Sequence, residues 1–347
     1  MLSLIICSTH REPDAGLLCN IKDTIGKEYE VVHIDNSENK YSIFQAYNVG
    51  AHKAKGDILC FMHEDIVFHT IEWGVKTEEI FTNNPNLGLL GVAGGKFIPS
   101  KGDWRMLGEY VSLHYIQGYQ SIETNSKYIT LNSFCNDKPT QNGIVEVAAL
   151  DGMWLSMPRK LYTKVSFDDK TFSGFHLYDT DISIQTIQSG YTVGITSELL
   201  IEHRSIGNFN ESFLTATKKL QTKWGDTLPI KVHSVSLSPK EQEELSDLSE
   251  QRLIEYIIKQ EKERELRQKL SVINISDIHQ RLNKEELIFL CQYTFWRLKA
   301  TIVKNKKIGF FDAIKLLSKD RLYLTHQAYM KLFWKLIFYS IKKKLQI

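Results

Sequence analysis

From Met1 to about Val232, short apolar runs alternate with longer amphipathic stretches. That pattern predicts a mostly parallel sheet with covering helices. Leu2 to Ser8 reads as the first strand, and Glu30-Val31-Val32-His33-Ile34 as the second, closed by the turn-forming Asp35-Asn36-Ser37. A helix is predicted over Ser42 to Ala54, a third strand over Asp57 to Met62 and a fourth over Leu87 to Ala93. The fourth meets Gly94-Gly95, where the backbone has to turn or approach something closely. Residues 100 to 145 are rich in Gly, Ser, Asn and aromatics and read as one long irregular segment. Such an interruption in a compact domain is more often a functional loop than a random insertion.

The pattern changes around Ser234 to Pro239. Glu241 to Leu270 is charge-dense, with Leu245, Leu248, Leu253, Ile254, Ile257 and Ile258 at helical spacing, which predicts one or two amphipathic helices. Two domains are therefore expected, residues 1–234 as an α/β domain and 235–347 as an α-helical C-terminal extension. The final stretch, from Leu322 onward, mixes Tyr329, Phe333, Trp334, Phe338 and Tyr339 with five lysines and no acid. It suits an interfacial helix on an anionic leaflet, and equally a helix docked on the first domain or on another subunit. It is too interrupted to span a bilayer.

At 347 residues the chain has room for a full α/β core and about a hundred residues more. A net charge of +2 with 24% charged residues gives no basic field, so nucleic acid is not an expected partner. Five scattered cysteines, with no CxxC or Cys/His spacing, predict neither a disulfide framework nor a zinc site and fit a reducing cytoplasm. The N-terminus lacks the basic region and apolar length of a signal peptide.

Candidate chemistry begins where the apolar run Asp57-Ile58-Leu59-Cys60-Phe61-Met62 ends in His63-Glu64-Asp65. Open α/β sheets bind ligands at the carboxyl ends of their strands. Hard cations such as Mg²⁺ or Mn²⁺ take oxygen ligands there, shared between carboxylates and a substrate's phosphates. Taken alone, the two acids also fit a simple helix cap.

The motifs in order resemble the inverting GT-A glycosyltransferases of family 2, over about the first 210 residues. Ser3-Leu4-Ile5-Ile6-Cys7-Ser8-Thr9-His10-Arg11 is similar to that family's first strand and nucleotide-contacting turn. Ala46-Tyr47-Asn48-Val49-Gly50-Ala51 and Ala54-Lys55-Gly56-Asp57 resemble its helix and the lead into the metal strand, and His63-Glu64-Asp65 stands at its DxD position. Asp151-Gly152-Met153-Trp154 resembles the strand beside the donor sugar, with a helix start near Pro158. Tyr178-Asp179-Thr180-Asp181 followed by Gly190-Tyr191 resembles the acidic helix start and Gly-Tyr turn.

The resemblance implies a GT-A fold, a nucleoside diphosphate sugar donor, most simply UDP-linked, and a divalent cation. Ser8, Thr9, Asp35, Asn48, Glu64, Asp65 and Asp151 would contact the nucleotide sugar, and Asp65 with His203 would hold the metal. Asp179 would be the general base of an inverting transfer, with Asp181 capping the helix or orienting a neighbour. His63 departs from the family pattern by replacing the first acid, which leaves the metal's identity open. The expected acceptor is a hydroxyl of a glycan or a lipid-linked glycan, with a cytoplasmic location that includes the inner face of the membrane. Without a Gln-x-x-Arg-Trp motif, single-sugar transfer is expected over processive synthesis. Two rivals stand beside this reading: a non-catalytic GT-A-like scaffold whose helical tail binds a partner or membrane, and a sugar nucleotidyltransferase. The second would carry a Gly-rich basic loop after the first strand, where Ser8-Thr9-His10-Arg11-Glu12-Pro13 has no glycine.

Overall fold

The computed structural model describes residues 1–120, 127–134, 143–205, 207–272 and 286. It is a mixed α/β protein around a seven-stranded sheet. The strand order is Ile144–Glu146, Thr192–Thr196, Leu87–Gly91, Trp154–Pro158, Ile58–Met62, Leu2–Ser8, Tyr29–Asp35. Leu2–Ser8 runs parallel to both its neighbours, while Trp154–Pro158 runs antiparallel to Ile58–Met62. Ile58–Met62 and Leu87–Gly91 are buried along their whole length, as continuous apolar runs covered on both faces require.

Register explains how distant motifs meet. Ser8 pairs with Asp35 and Ile6 with Met62, so the first three strands end along one edge of the sheet. Trp154 pairs with Met62, and the His63 amide donates to the Met153 carbonyl at 3.1 Å. The Asp151-Gly152 turn is thereby set beside His63. A smaller sheet orders Ala149–Leu150, Ala93–Gly95, Val111–Gln120, Ile201–His203 and Ile66–Phe68. There His203 pairs with Ile66, and the Arg204 amide donates to the Asp65 carbonyl at 3.0 Å.

The predicted helix at 42–54 is Ile43–Lys53, with Ser42 and Gln45 forming a reciprocal capping box and Ala54 extended at its end. The charge-dense stretch forms one helix, Pro239–Val272. Residues 100 to 145 differ from the expectation. Two short 3₁₀ turns, Trp104–Met106 and Gly108–Tyr110, lead into the strand Val111–Gln120, and a further strand covers Lys127–Phe134. Val111–Gln120 pairs with Ala93–Gly95 and Ile201–His203 as well as with Lys127–Phe134, so tertiary pairing outweighs a local composition that reads as loop. Gly94 and Gly95 lie in a strand and do not turn. Close approach is their reason: a Cβ on Gly94 would sit 2.4 Å from the Ala149 carbonyl, and one on Gly95 would sit 2.6 Å from the Trp104 ring.

Apolar clusters cover both faces of the central sheet. On the face beneath the candidate site, Tyr47 packs against Phe61, Phe167 and Tyr178 with ring centroids 5.2, 5.2 and 5.5 Å away. Such aromatic pairs contribute about 0.5–1.5 kcal/mol each beyond simple burial, and here they fix the position of Tyr178.

The chain divides into two compact units, residues 1–118 with 131–257, and residues 119–130 with 258–347. In the second unit the described residues comprise helix up to Val272, strand segments at 119–120 and 127–130, and residue 286. The lysine and aromatic stretch from Leu322 onward lies outside the described residues. Among the described residues no helix is long and apolar enough to cross a membrane.

Candidate active site

At the end of the strand Ile58–Met62, His63 and Asp65 meet His203 from the smaller sheet. Their ligand atoms all lie within 4.8 Å of one another. His63 Nδ1 is 3.2 Å from His203 Nε2 and 3.9 Å from Asp65 Oδ1, and His203 Nε2 is 3.5 Å from the same oxygen. Ligand atoms bonded at about 2.0–2.2 Å to one ion and set between right and tetrahedral angles stand about 3–3.5 Å apart. Two sides of the triangle fall in that range and the His63–Asp65 side exceeds it by about 0.4 Å, so a small closing of the two side chains brings all three onto one divalent cation.

Tyr178 decides which nitrogen of His63 is free. Its hydroxyl donates to the Gly152 carbonyl at 3.0 Å and so accepts from His63 Nε2, 2.7 Å away. The proton is thereby placed on Nε2 and the lone pair of Nδ1 is turned toward Asp65 and His203, the arrangement that orients metal-binding histidines. Burial, and then the neighbouring His203, push the His63 pKa down against the pull of Asp65. The ring is accordingly held neutral, as a ligand must be.

Glu64 serves a different purpose from its neighbour. Its carboxylate accepts from the Ser8 hydroxyl, from the Thr9 amide at 3.2 Å and hydroxyl at 2.8 Å, and pairs with His10 Nδ1 at 3.1 Å. Burial opposes its charge, yet these bonds from Ser8, His10 and Thr9 hold its carboxyl below the usual range. It thus fixes the turn after the first strand. Asp35, exposed at the end of the second strand, accepts from the Ser37 amide at 2.9 Å. Asn48 spends its amide elsewhere: it donates to the Phe167 carbonyl at 2.7 Å and accepts from the Tyr162 hydroxyl at 2.5 Å, clamping its helix to the segment after Arg159–Tyr162.

The second half of the site is a nest of carboxylates around one cation. Arg105 reaches Asp179 at 2.5 Å through Nη2, Asp151 at 3.3 Å through Nε and Asp103 at 3.1 Å through Nη1. Its guanidinium also lies over the Trp104 ring, 4.3 Å from the centroid. Asp179 is the second residue of the helix Tyr178–Gln188, which is preceded by Leu177 in the left-handed region at φ 64°. Its two oxygens accept from the amides of Thr180 at 2.7 Å and Gly152 at 2.9 Å. Burial raises its pKa, Arg105 opposes, Asp151 raises it further, and the balance is about 6. For Asp151, burial is outweighed by Arg105 and the two histidines, and its carboxyl is held below the ordinary value. The sequence reasoning missed Arg105. Nothing near it forms a motif, and its meaning arises only when three acids from separate segments converge on it.

Asp181, two residues beyond Asp179, is fully buried and faces another way. It accepts from Lys223 Nζ and Trp224 Nε1, each at 2.8 Å, and from Gln185 at 2.7 Å. It orients neighbours on the helix Glu211–Trp224, and its own backbone is not capped by it.

The model of a family described as glycosyltransferase-like matches residues 4–219. Among solved structures, GalNAc-T7 with UDP, GalNAc and Mn²⁺ is similar with a TM-score of 0.39 and 12% identity, over 59% of this chain and 44% of that one. This chain thus spans less than half of that protein's length. A197 from STIV is similar with a TM-score of 0.33 and 13% identity, over 59% of this chain and 86% of the other. No curated protein sequence matches.

Proposed function

We propose that this chain, which belongs to the glycosyltransferase-like family matched over residues 4–219, moves a single sugar from a nucleoside diphosphate sugar to an acceptor hydroxyl with inversion. The observation that carries the reading is that Tyr178, which orients His63, and the buried carboxylate of Asp179 hold the same glycine. Tyr178, hydrogen-bonded to the ligand His63, also holds the Gly152 carbonyl, and the Gly152 amide holds Asp179. Leaving-group chemistry and proton chemistry are thereby set side by side.

In this reading, Ser8, Thr9 and Asp35 bind the nucleotide, which is UDP, and Glu64 shapes their turn. His63, Asp65 and His203 hold the divalent cation, which when bound offsets the charge developing on the departing diphosphate. Two imidazoles and one carboxylate suit Mn²⁺ better than Mg²⁺, which favours all-oxygen shells. Asp179 takes the acceptor's proton as the acceptor oxygen attacks C1 from the face opposite the nucleotide. A pKa of about 6 leaves it mostly ionised at neutral pH and still basic enough to accept that proton. Asp151, in this reading, contacts the donor sugar. The acceptor is a glycan or lipid-linked glycan on the cytoplasmic side, a choice supported by the aromatic and lysine residues from Leu322 onward.

The test is a thermal-shift screen of UDP, GDP and CMP, each with and without Mn²⁺, on the wild type and on Asp65→Ala. A ligand at a hundredfold excess over Kd adds about 2.7 kcal/mol to folded-state stability, enough to be read. A Mn²⁺-dependent shift with UDP that is lost in Asp65→Ala is expected. No shift with any nucleotide returns the weight to a scaffold without catalysis.

A further inference from the structure

Beyond residue 219, where the family match ends, the helix Pro239–Val272 makes a set of contacts with the turn that carries Arg105. Ser249 Oγ donates to the Asp103 carbonyl at 2.8 Å and accepts from the Asp103 amide at 2.9 Å, closing both backbone atoms of one residue. Ser246 Oγ accepts from the Ser100 amide at 3.1 Å, and Arg252 donates to the Met106 carbonyl at 3.0 Å. Lys101 pairs with Asp247 at 2.7 Å. Both serines are buried, at 1% and 0% exposure, although their neighbours along the helix are mostly charged. Gly102, at φ 80°, lies so close that a Cβ would stand 2.4 Å from Ser249 Oγ and 2.5 Å from the Glu250 amide. Ser246, Ser249 and Leu253 follow at i, i+3 and i+7, so one helical face makes these contacts. A helix that merely covered apolar surface would not need hydroxyls buried against a peptide backbone.

We infer that this helix is a positioning element of the active site: Ser246 and Ser249 fix the turn 100–106, the turn aims Arg105, and Arg105 orients Asp179. The inference rests on the reading of Asp179 as the base. Ser246 and Ser249 touch no reacting group and act only through Arg105. Both lie outside the matched segment, so the catalytic unit extends at least to Ile257, which is buried in the same core as Tyr178.

The test measures the titration of Asp179 by carboxyl ¹³C NMR on the full chain, which needs no knowledge of the donor. Release of UDP from UDP-glucose, UDP-galactose and UDP-N-acetylglucosamine is followed in parallel. The charged and titratable groups facing Asp179 are Arg105 and Asp103 from the turn, Asp151, Tyr47, and Tyr178 on its own helix. Of these only Arg105 favours the carboxylate, so loosening it raises the Asp179 pKa. Ser249→Ala is expected to move the titration upward and to lower kcat about tenfold, with the donor KM within twofold of wild type. Arg105→Gln does the same to a larger extent, and Arg105→Lys restores part of it. The decisive variant is the double Arg105→Gln with Ser249→Ala, expected to match Arg105→Gln alone because the serine acts through the arginine. Multiplying effects in the double, or an unmoved titration in folded Ser249→Ala, overturn the inference. Ser246→Ala, which loses one bond to the turn and one to the Gln242 carbonyl, carries the same test if Ser249→Ala does not fold. Undiminished UDP release in Asp179→Asn overturns the base reading instead, whatever the NMR shows.

Discussion

Removing one oxygen atom from Tyr178 separates metal binding from packing. Tyr178→Phe keeps the ring against Tyr47, Phe44 and Phe167, so the aromatic cluster beneath the site stays filled. It deletes the acceptor for His63 Nε2–H and the donor to the Gly152 carbonyl. Leaving such buried groups without partners costs about 1–3 kcal/mol each, partly recovered by relaxation, so a lower melting temperature is expected. The more telling loss is freedom of the wrong kind. His63 can then protonate Nδ1, the nitrogen 3.2 Å from His203, and turn a donor toward the cation. Removing outer-shell partners of this type weakens metal affinity about 10–100-fold. Calorimetric titration of Mn²⁺ into the metal-free protein at pH 7.5 reads this directly. A Mn²⁺ affinity within twofold of wild type, in a variant whose melting temperature has fallen, would refute the tautomer argument and reduce Tyr178 to a packing residue.

Four further outcomes are expected. Asp179→Asn lowers transfer about 10²–10⁴-fold, the usual worth of a general base, while Mn²⁺-dependent UDP binding by thermal shift is retained. In the wild type, kcat/KM rises with pH through about 6 as Asp179 ionises. Because its folded pKa lies above the ordinary carboxylate value, its contribution to stability is full below about 4 and is lost as pH rises through about 6. Denaturant titrations at pH 4.5 and 7.5 should show that difference shrink in Asp179→Asn. Asp181→Ala, by contrast, costs about 1–3 kcal/mol of stability by freeing Trp224, Gln185 and Lys223, the last of which retains Asp168. Its folded fraction turns over donor at close to the normal kcat in single-turnover assays.

What could be read in the chain differs by the range of the interaction. The strand at Leu2–Ser8 and the helix that follows Ser42 are local, set by residue periodicity over a short stretch of chain, and both were legible. Asp65 and His203 are 138 residues apart, and only the order of motifs suggested that they meet. The register of His203 with Ile66 is what achieves it. His63 looked like a lost acid, because the hydroxyl that gives its ring a defined tautomer belongs to Tyr178, far along the chain. Arg105 lay inside a stretch whose glycines and serines masked a turn and a strand. Asn48 looked like a ligand contact, although its amide is occupied by Phe167 and Tyr162. In each of these cases the information is held in long-range hydrogen bonds between polar groups, which no periodicity encodes.

Gly152 has a consequence for how this catalyst can change. Its carbonyl is held by Tyr178 and its amide by Asp179, successive residues of one helical turn, and a Cβ there would stand 2.1 Å from the Tyr178 hydroxyl. In the proposed reading, the histidine that holds the ion and the carboxylate that takes the proton therefore share one mechanical support. A lineage or an engineer seeking a different metal cannot retune that end without moving the acid at the other. Substitutions that adapt the two functions are expected to arrive in pairs, or not at all.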